Sequence, residues 1–470
     1  MSLLPFYIVP LTHSDWEDAR TYAKKLPNEA MAEVRLDLTP DADPEHLVDS
    51  LKRRCVVSNR RASEGGRWPD EDEAGRLESI RRALKGKPHW IDLEWDLKIP
   101  DWLEAELAHT RLLRSFHAPP FVFDIGARLQ NLPRGDAYKW VGRASRLSDN
   151  AHVKSSLAWA RDHHIVLSAF LTGNKGIASR CMQAAWGGAF VYAAPDNACA
   201  SAPGQLKLGL MSSWRCHKLH PGYGLCGVLG SPVVQSAGPA FHNLGFQRSF
   251  KDLIYLPLEA DTADEAMEAM ESLSLLGVSV TMPLKETLPA LLNLPAPSNT
   301  MWRRAFGDAW QSANTDSGAL DFFFQDFKGG PVLVLGNGGV AKTSMYVIEK
   351  RGWPALQHSR RSPLSVSDIE RFGPVGVIQA TSLGMADDDP APFPDILEAA
   401  LPSLSWAVEW VNVSFATVDD MAPNIEESRS ETAFSAWANR NGLQVLSGAE
   451  LFKKQAALQS RIFVMECGGL

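Results

Sequence analysis

Eight short apolar runs, most of them separated by helix-like segments, follow one another in the first half of this 470-residue chain. Eight successive strand–helix units favour a (β/α)8 barrel, because the crossover after each strand lets a parallel sheet close on itself. The helix-like segments include Asp72–Leu84 and Ser155–Asp162. The predicted strands are Phe6–Leu11, Ala32–Leu38, Cys55–Asn59, Trp90–Trp95, Arg111–Phe116, Ala137–Val141, Ile165–Phe170 and Ala189–Ala194.

The pattern changes near Trp214–Gly224, where a stretch containing histidine, proline and glycine predicts a linker. A second α/β region follows. Its clearest landmark is the apolar run Pro331–Leu335, which leads into the glycine turn Gly336–Gly339 and then into a helix-like segment. Strand, glycine turn and helix in this order are typical of a Rossmann-like nucleotide-binding lobe. The expected fold is therefore α/β, with an N-terminal barrel followed by a two-lobed unit.

Composition excludes several classes of function. A net charge of −8 argues against general nucleic-acid binding, which needs a basic surface. No apolar run approaches the roughly 20 residues of a membrane span, and Met1–Pro5 leads directly into strand-like residues, so a cytoplasmic location is expected. The six cysteines lack CxxC spacing, and neither a disulfide framework nor a metal site is expected.

The first candidate site lies at the carboxyl ends of the predicted barrel strands, where catalytic side chains gather in this fold. A lysine enclosed by apolar walls and other cations would have a lowered pKa and could attack a ketone. A histidine could move protons, and arginines could clamp a carboxylate. This chemistry predicts a Schiff-base lyase that acts on an acidic keto compound without a cofactor. The polar residues near these ends are Glu33, Arg35, Arg60, Glu94, His117, Lys139, Arg180 and Gln205.

Nearly all of residues 1–210 resemble the type I 3-dehydroquinate dehydratases. The matching motifs are Glu33-Val-Arg35-Leu-Asp37, Arg60 followed by Ser63-Glu-Gly-Gly66, Ile91-Asp-Leu-Glu94, Ser115-Phe-His117, Tyr138-Lys139, Gly173-Asn-Lys-Gly176 with Ser179-Arg180, and Ser201-Ala-Pro-Gly-Gln205. The resemblance implies that Lys139 forms the imine, that His117 is the general acid and base, and that Glu94 orients His117. It also implies substrate contacts from Glu33, Arg35, Arg60, Arg180, Ser201 and Gln205. Ala118-Pro119 departs from the family, which commonly has aspartate and an aromatic residue there.

The second candidate site surrounds the glycine turn, whose backbone N–H groups could hold a pyrophosphate. The next predicted strand ends at His358 and is followed by Ser359, Arg360 and Arg361. An NAD-type fold often has an acidic residue there, whereas arginines suit the 2′-phosphate of NADP. Upstream, Lys285 could give a proton to a ketone while nicotinamide gives hydride, and Asp316 could position or share that proton.

Residues 224–466 resemble the shikimate dehydrogenases. The matching motifs are Gly230-Ser-Pro232, Ser236, His242-Asn243, Gly277–Lys285, Ser298-Asn299-Thr300, Ala313–Gly318, Ala380–Met385 and Gly448–Gln455. The resemblance implies Lys285 and Asp316 as the catalytic pair. It implies shikimate contacts from Ser236, Thr281, Asn299, Asp316 and Gln455. The implied NADP-binding residues are Gly336, Gly338, Gly339, Ser359, Arg360, Thr381 and Gly448.

Four departures from this second family concern the substrate and cofactor sites. The family usually has a second serine where Gly238 stands, a histidine at Gln235 and an asparagine at Gln379, and its Asp-x-x-Tyr-Asn-Pro stretch appears as Glu409–Ser414. A missing serine hydroxyl would remove a donor to the substrate carboxylate, with an effect of about 1.5–3 kcal/mol. Glycine at 238 is expected to leave space for water or for a differently substituted acid.

Together the two resemblances imply a bifunctional enzyme of the shikimate pathway, which converts 3-dehydroquinate to 3-dehydroshikimate and then to shikimate. The expected domains are residues 1–218, 224–325 completed by 447–470, and 326–446. The last helix, around Gly448–Phe463, should return to the substrate lobe. Two alternatives remain open: an active dehydratase joined to a weak or redirected dehydrogenase, and a non-catalytic regulator of quinate metabolism. Because Lys139, His117, Glu94, Lys285 and Asp316 are all present, the sequence favours catalysis over regulation.

Overall fold

A computed structural model describes residues 6–51, 54–107, 110–117, 132–386, 388–411 and 431–468. The departures at Ala118-Pro119 and at Asn412–Ser414 lie outside the described residues. The chain divides into two compact units. One comprises Met1–Tyr223 with Glu268–Leu273, and the other comprises Gly224–Met267 with Ser274–Leu470.

The first unit contains the predicted barrel, and each of the eight expected strands is confirmed. Its parallel strands follow the order β7-β6-β5-β4-β3-β2-β1-β8. The ring is nearly closed beside β8, where the Ala189 N–H donates to the Leu167 carbonyl at 2.9 Å. The strands are β1 Tyr7–Pro10, β2 Ala30–Arg35, β3 Cys55–Ser58, β4 Trp90–Glu94, β5 Arg111–His117, β6 Ala137–Arg143, β7 Leu167–Thr172 and β8 Val191–Tyr192.

Helices surround these strands, and the helix Glu73–Lys85, labelled α3, shows why they form where they do. The side chain of Asp72 caps its first turn by accepting from the Gly75 N–H, and the helix ends before Gly86. Its buried face includes Ile80, whose removal from water contributes about 1.5–3 kcal/mol. The helices of this unit are α1 Trp16–Lys24, α2 Pro44–Ser50, α3 Glu73–Lys85, α4 Asp101–Glu106, α5 Asn150–Asp162, α6 Ile177–Cys181, α7 Gln183–Trp186 and α8 Leu208–Ser213.

The second unit contains two sheets. The first is mixed, in the order β10-β9-β11-β12-β13, with β12 antiparallel to both of its neighbours. The second is parallel, in the Rossmann-like order β15-β14-β16-β17-β18. The strands are β9 Gly224–Gly230, β10 Leu253–Glu259, β11 Leu275–Val280, β12 Thr300–Trp302, β13 Gln311–Ala313, β14 Val332–Leu335, β15 Ala355–His358, β16 Gly376–Gln379, β17 Trp406–Glu409 and β18 Gln444–Leu446.

The last helix returns to the mixed sheet, as the sequence predicts. It packs against α9 and β12, and it extends to Glu466, one turn beyond the expected end. Ser447 and Glu450 form a capping box that fixes its first turn. The remaining helices are α9 Gly238–Arg248, α10 Ala263–Ser272, α11 Thr287–Leu291, α12 Thr315–Phe323, α13 Gly339–Lys350, α14 Val366–Phe372, α15 Pro394–Ala400, α16 Ala433–Arg440 and α17 Gly448–Glu466.

The described residues contain neither a candidate membrane-spanning helix nor a candidate metal cluster. None of the helices there combines the length and apolarity that crossing a membrane requires. In the same part of the chain, no group of three or more histidine, cysteine, aspartate or glutamate side chains is arranged to hold a metal ion.

Candidate active sites

Lys139 lies inside the barrel on β6 and is 1% exposed. Residues alternate between the two faces of each strand, so Ile91 and Leu93 pack into the surrounding core while Asp92 points to the opposite face. There Asp92 Oδ2 accepts a hydrogen bond from Lys139 Nζ. The second carboxylate oxygen, Asp92 Oδ1, is buried and has no hydrogen-bond partner among the described residues. The barrel thus holds a buried lysine against a carboxylate whose second oxygen has no partner in the part of the chain that the structure describes.

The surroundings of Lys139 lower its pKa. Burial lowers the pKa of Lys139, whereas attraction to Asp92 and Glu33 opposes that effect and the charge of Arg60 adds to it. The hydroxyl of Tyr192, on β8, lies 3.3 Å from Nζ, and Nζ lies 4.6 Å from the centre of that ring. The lysine therefore has a lowered pKa, but its nearest polar partners are the carboxylate of Asp92 and the phenol of Tyr192 and not the cations that the sequence predicts for an amine nucleophile.

His117 ends β5 and pairs with Glu64, which the sequence analysis did not single out. Glu64 Oε2 lies 2.8 Å from His117 Nδ1, and Nε2 of the same ring is buried without a described partner. Burial lowers the pKa of His117 well below its usual value, and the nearby charges of Arg60 and Lys139 act in the same direction. Burial also raises the pKa of Glu64 to about 7, with added repulsion from Glu94 and Asp92.

The expectation that Glu94 orients His117 is wrong for this structure. Both oxygens of Glu94 accept from Arg76 Nη1, at 2.8 and 2.9 Å. Arg76 is fully buried on α3, so Glu94 links that helix to the barrel instead. Glu64 could have been chosen as a candidate from the sequence, because Glu64 lies in the motif Ser63–Gly66, four residues after Arg60. Proximity in sequence cannot tell which of two carboxylates reaches the histidine.

Three predicted substrate residues, Glu33, Arg35 and Arg60, lie near Lys139 and His117. The electric fields of Arg60 and Arg35 both act on His117. Glu33 accepts from Ser58 through one oxygen, and its other oxygen is buried without a described partner. Arg35 donates twice to Asp37, at 2.8 and 2.7 Å. Asp37, another residue without an expected role, also accepts from the backbone N–H of Arg60 and so anchors that loop.

Arg180, Ser201 and Gln205 follow the last two strands. Arg180 is 1% exposed and lies over the ring of Phe170, and its Nε and Nη2 atoms have no acceptor among the described residues. The backbone N–H and the hydroxyl of Ser201 both donate to Gln205 Oε1 at 2.9 Å. A cavity of about 740 Å³ is lined by Arg35 and Ser201, while Lys139 is not among its lining residues. No contact joins Arg180 to the other predicted residues in the described structure.

In the second unit, Lys285 and Asp316 form an ion pair, with Nζ 2.7 Å from Oδ2. Lys285 lies on the turn after β11, and Asp316 lies in the first turn of α12, which Asn314 caps. The pair lines a cavity of about 280 Å³. The same cavity is lined by every predicted shikimate contact, namely Ser236, Thr281, Asn299, Asp316 and Gln455, and by Gly448.

The fold sets the orientation of Asn299 in this cavity. Its Oδ1 accepts from the Thr315 N–H at 2.8 Å and from the Thr300 hydroxyl at 2.9 Å. Because the side-chain oxygen is engaged, the amide N–H₂ is the group left to donate to a ligand. Gln459, on α17, donates to the Asn299 carbonyl and accepts from Ser279, which ties the last helix to the cavity wall.

The expectation of open space beside Gly238 is wrong. A Cβ atom built at Gly238 would lie 3.0 Å from Tyr255 Cε1, 3.4 Å from Tyr255 Oη and 3.2 Å from Ser236 Oγ. Tyr255 is 1% exposed and stacks on His242, with ring centres 4.2 Å apart. An aromatic ring therefore crowds the position where the family usually has a serine side chain, and a Cβ there would require that ring to shift. Tyr255 and His242 line the cavity as well, although the sequence analysis gave neither a substrate role.

The glycine turn has the geometry that close approach of a ligand requires. Gly336 has φ of +120°, and a Cβ there would lie 2.5 Å from the Ala380 carbonyl oxygen, so only glycine fits. A Cβ at Gly338 would meet no atom within 4 Å, which leaves the backbone N–H groups at the start of α13 accessible. Gln357 donates to the Gly336 carbonyl at 2.7 Å and holds the turn against β15. Gly339 lies beside Lys285, so the turn borders the cavity.

Ser359–Ser362 forms a tight turn after β15, closed by hydrogen bonds between the two serines. Arg360 and Arg361 project from it, are exposed, and form no ion pair within the described part of the chain. Ser359 itself is buried and engaged in the turn. The neighbouring loop is fixed by Gln379, which accepts from the Thr381 N–H and donates to the Leu383 carbonyl. Gln379 thus has a defined structural role where the family has asparagine.

Two family models match segments of this chain. Residues 7–214 match the type I 3-dehydroquinase family, and residues 228–301 match the shikimate dehydrogenase substrate-binding domain. Among solved structures, a dehydroquinate dehydratase and shikimate dehydrogenase from S. pombe is 17% identical, with 98% of this chain and 96% of that chain covered and a TM-score of 0.39. A Thermus thermophilus shikimate 5-dehydrogenase in complex with NADP(H) and shikimate is 22% identical over 51% of this chain and 93% of that chain, with a TM-score of 0.42.

The chain thus contains a segment that matches the type I 3-dehydroquinase family and a second segment that matches the shikimate dehydrogenase substrate-binding domain. Its N-terminal part is a type I 3-dehydroquinase domain built as a nearly closed eight-stranded parallel barrel. The part that follows contains a shikimate dehydrogenase substrate-binding domain and a parallel Rossmann-like sheet.

Proposed function

We propose that the barrel dehydrates 3-dehydroquinate to 3-dehydroshikimate through an imine on Lys139, and that the second unit reduces 3-dehydroshikimate to shikimate with NADPH. The observation that carries the first half is the buried pair of Lys139 and Asp92 beside unpartnered, buried nitrogens of His117 and Arg60. Buried polar atoms without partners are rare, so a set of them around one amine is best explained by a polar ligand that completes their hydrogen bonds.

In the proposed dehydration, the ammonium of Lys139 gives one proton to the site and its amine attacks the C3 carbonyl of the substrate. That proton and a second one from the nitrogen then leave with the carbonyl oxygen as water, which gives the protonated imine. His117 then removes a proton from the adjacent carbon through Nε2. The electron pair moves into the C–N system and returns to expel the neighbouring hydroxyl, which leaves as water after taking the proton from His117. Hydrolysis of the imine releases the product and restores Lys139.

Glu64 takes the orienting role in this proposal. Its carboxylate, 2.8 Å from Nδ1, would hold the proton of neutral His117 on that nitrogen and leave the lone pair on Nε2. Arg180 is proposed to bind the substrate carboxylate, because a buried guanidinium without a described acceptor is suited to a planar anion. Glu33, Arg35, Arg60, Ser201 and Gln205 are proposed to contact the ring hydroxyls and the carboxylate.

The second half of the proposal is carried by the pair of Lys285 and Asp316 in a cavity that other hydrogen-bonding side chains also line. Lys285 would donate a proton to the carbonyl oxygen of 3-dehydroshikimate, and Asp316 would share that proton and hold the amine in place. Ser236, Thr281, Asn299 and Gln455 would orient the ring. NADPH, when bound, supplies the hydride.

The residues present fit a dinucleotide phosphate. Gly336, Gly338 and Gly339 would hold the pyrophosphate, and Arg360 with Ser359 would hold the 2′-phosphate. Thr381 and Gly448 are proposed to border the nicotinamide half. We propose residues 1–218 as the dehydratase, 224–325 with 447–470 as the substrate lobe, and 326–446 as the NADP lobe.

A coupled assay tests both halves. Purified full-length protein given 3-dehydroquinate should form an enone that absorbs in the ultraviolet, and addition of NADPH should then produce shikimate. Borohydride added during turnover should attach substrate-derived mass to the peptide that contains Lys139. An adduct on another lysine, or none, would refute the barrel assignment, whereas enone formation without NADPH oxidation would favour a redirected dehydrogenase. A protein inactive in both steps would favour the regulator.

A further inference from the structure

Formation of an imine on Lys139 poses a proton-transfer problem that His117 alone does not explain. The ammonium of Lys139 carries three protons on its nitrogen, and the protonated imine that it forms with the ketone carries one. The other two must reach the carbonyl oxygen, which leaves as water. The step R–NH₃⁺ + O=C → R–NH⁺=C + H₂O is balanced in atoms and charge, so it needs a carrier that takes each proton from nitrogen, gives it to oxygen and ends unchanged.

From this geometry we infer that Asp92 is a catalytic residue that carries both protons from Lys139 Nζ to the departing oxygen. This inference rests on the proposed imine chemistry. Asp92 Oδ2 already accepts from Nζ, and Asp92 Oδ1 is buried without a described partner and is therefore free to reach a second atom. Such a transfer requires a carboxylate that contacts the nitrogen through one oxygen and has its second oxygen available for the substrate. Asp92 has this arrangement among the described residues.

The neighbours of Lys139 make Asp92 the best placed carrier. Tyr192 also contacts Nζ, at 3.3 Å, but burial and the negative charges of Glu33 and Asp92 raise its pKa, so the phenol does not accept a proton as a base. Glu33 acts on Lys139 only through its charge, and one of its oxygens is occupied by Ser58. Arg60 has no proton-accepting atom. His117 Nε2 remains available for the carbon proton.

Asp92 also suits the charge at each end of the step. It faces an ammonium before the reaction and a protonated imine afterwards, so the buried carboxylate is paired with a cation in both states. During the transfer both members of the pair are neutral, which avoids an isolated charge in the barrel interior. The site therefore changes its charge distribution without leaving an uncompensated ion.

The test separates a proton carrier from a counter-ion. Asp92→Asn keeps the shape and a hydrogen-bond acceptor but cannot take a proton. If Asp92 only balanced charge, its loss would favour the neutral amine, and borohydride trapping of 3-dehydroshikimate on Lys139 would be as fast or faster. We expect trapping to be about 100-fold slower, within the range of general acid–base catalysis. Asp96→Asn is the matched control, since Asp96 follows the same strand, is 71% exposed and pairs with Arg61; its trapping rate should stay near that of wild type.

A second variant covers the possibility that Asp92→Asn does not fold. Asp92→Ala opens space for a small carboxylate, and formate should then restore trapping at least about tenfold, whereas neutral formamide should not. Equal trapping in wild type and Asp92→Asn, or no rescue by formate, overturns the inference. Trapping lost in His117→Gln but kept in Asp92→Asn would assign the transfer to His117. If wild-type protein forms no adduct on Lys139, the proposed function fails before this inference is reached.

Discussion

Glu64 Oε2 lies 2.8 Å from His117 Nδ1, across 53 residues of sequence. Burial raises the pKa of Glu64 to about 7, so this carboxyl gains or loses a proton near neutral pH. When it is ionised, it accepts the Nδ1 proton and leaves Nε2 as a base. When it is protonated, it can donate to Nδ1 and place the ring proton on Nε2. The pair thus links the tautomer of His117 to pH.

The first prediction follows from this link. Dehydratase activity should fall as the pH drops through about 7, because Glu64 is protonated below its pKa and the base form of His117 is lost. Glu64→Gln should remove that limb of the pH profile and lower the rate about 100-fold at high pH. Steady-state rates of enone formation between pH 5 and 9, measured on both proteins, give the answer (the pH limits are roughly two units either side of that pKa).

Glu94→Gln serves as the control for this prediction. Glu94 is a buried carboxylate bound by Arg76, and its replacement should keep the pH limb. The opposite result would be an acidic fall in activity that survives in Glu64→Gln but disappears in Glu94→Gln. It would restore Glu94 as the residue that orients His117.

The second prediction concerns the opposing effects of Arg180 on stability and affinity. Replacing this buried cation, which has no described acceptor, by methionine should raise the free energy of unfolding by about 1 kcal/mol or more, since an unpaired buried charge is unfavourable. The same change should raise the Michaelis constant for 3-dehydroquinate about 10- to 100-fold through loss of charged hydrogen bonds. Denaturant unfolding and enone kinetics measure the two effects.

Arg81→Met is the matched variant, because Arg81 is half exposed and its ion pair with Glu78 is 3.8 Å long. This variant should change neither the free energy of unfolding nor the Michaelis constant for 3-dehydroquinate appreciably. A destabilised Arg180→Met protein with normal substrate affinity would mean that Arg180 is a structural residue.

The third prediction is a preference for NADPH that depends on Arg360. Arg360→Leu should weaken NADPH binding about 10- to 100-fold and NADH binding little, because only NADPH carries the 2′-phosphate. Titration of each dinucleotide by protein fluorescence measures both affinities. Arg371→Leu removes an exposed arginine from α14, which follows this turn, and should leave both unchanged. Equal losses of NADPH and NADH affinity in Arg360→Leu would rule out the phosphate contact.

The fourth prediction concerns Gly238 and Tyr255. Since a Cβ at position 238 would lie 3.0 Å from the Tyr255 ring, and that ring is held by His242, Gly238→Ser should not restore the usual serine contact. It should lower the free energy of unfolding by about 1–3 kcal/mol, as overpacking does, and raise the Michaelis constant for 3-dehydroshikimate.

Gly238→Ala separates crowding from hydrogen bonding, because alanine adds the Cβ without a hydroxyl. Similar defects in the alanine and serine variants would confirm crowding by Tyr255. Tyr255→Phe should raise the Michaelis constant as well if its hydroxyl serves the cavity. A serine variant that binds substrate more tightly than wild type would show that Tyr255 moves aside.

The eight barrel strands were predictable because each is a short apolar run, and alternation along a strand fixes which side chains face inward. Lys139 could be placed within β6, and His117 at the end of β5, for the same reason. The glycine turn at Gly336–Gly339 was also predictable, because a backbone with positive φ at close approach to Ala380 admits only glycine. These are local properties, and a sequence expresses them directly.

The contacts between distant segments needed the tertiary structure. Glu64 and Glu94 are both carboxylates near the barrel mouth, and only the position of Arg76 on α3 shows that Glu94 is already occupied. Asp92 meets Lys139 across 47 residues, and Tyr255 fills the space beside Gly238 from another strand. The sequence by itself determined which residue types lie at the strand ends. The packing of helices and strands decided which of them touch, because side-chain partners depend on positions in space that no local pattern encodes.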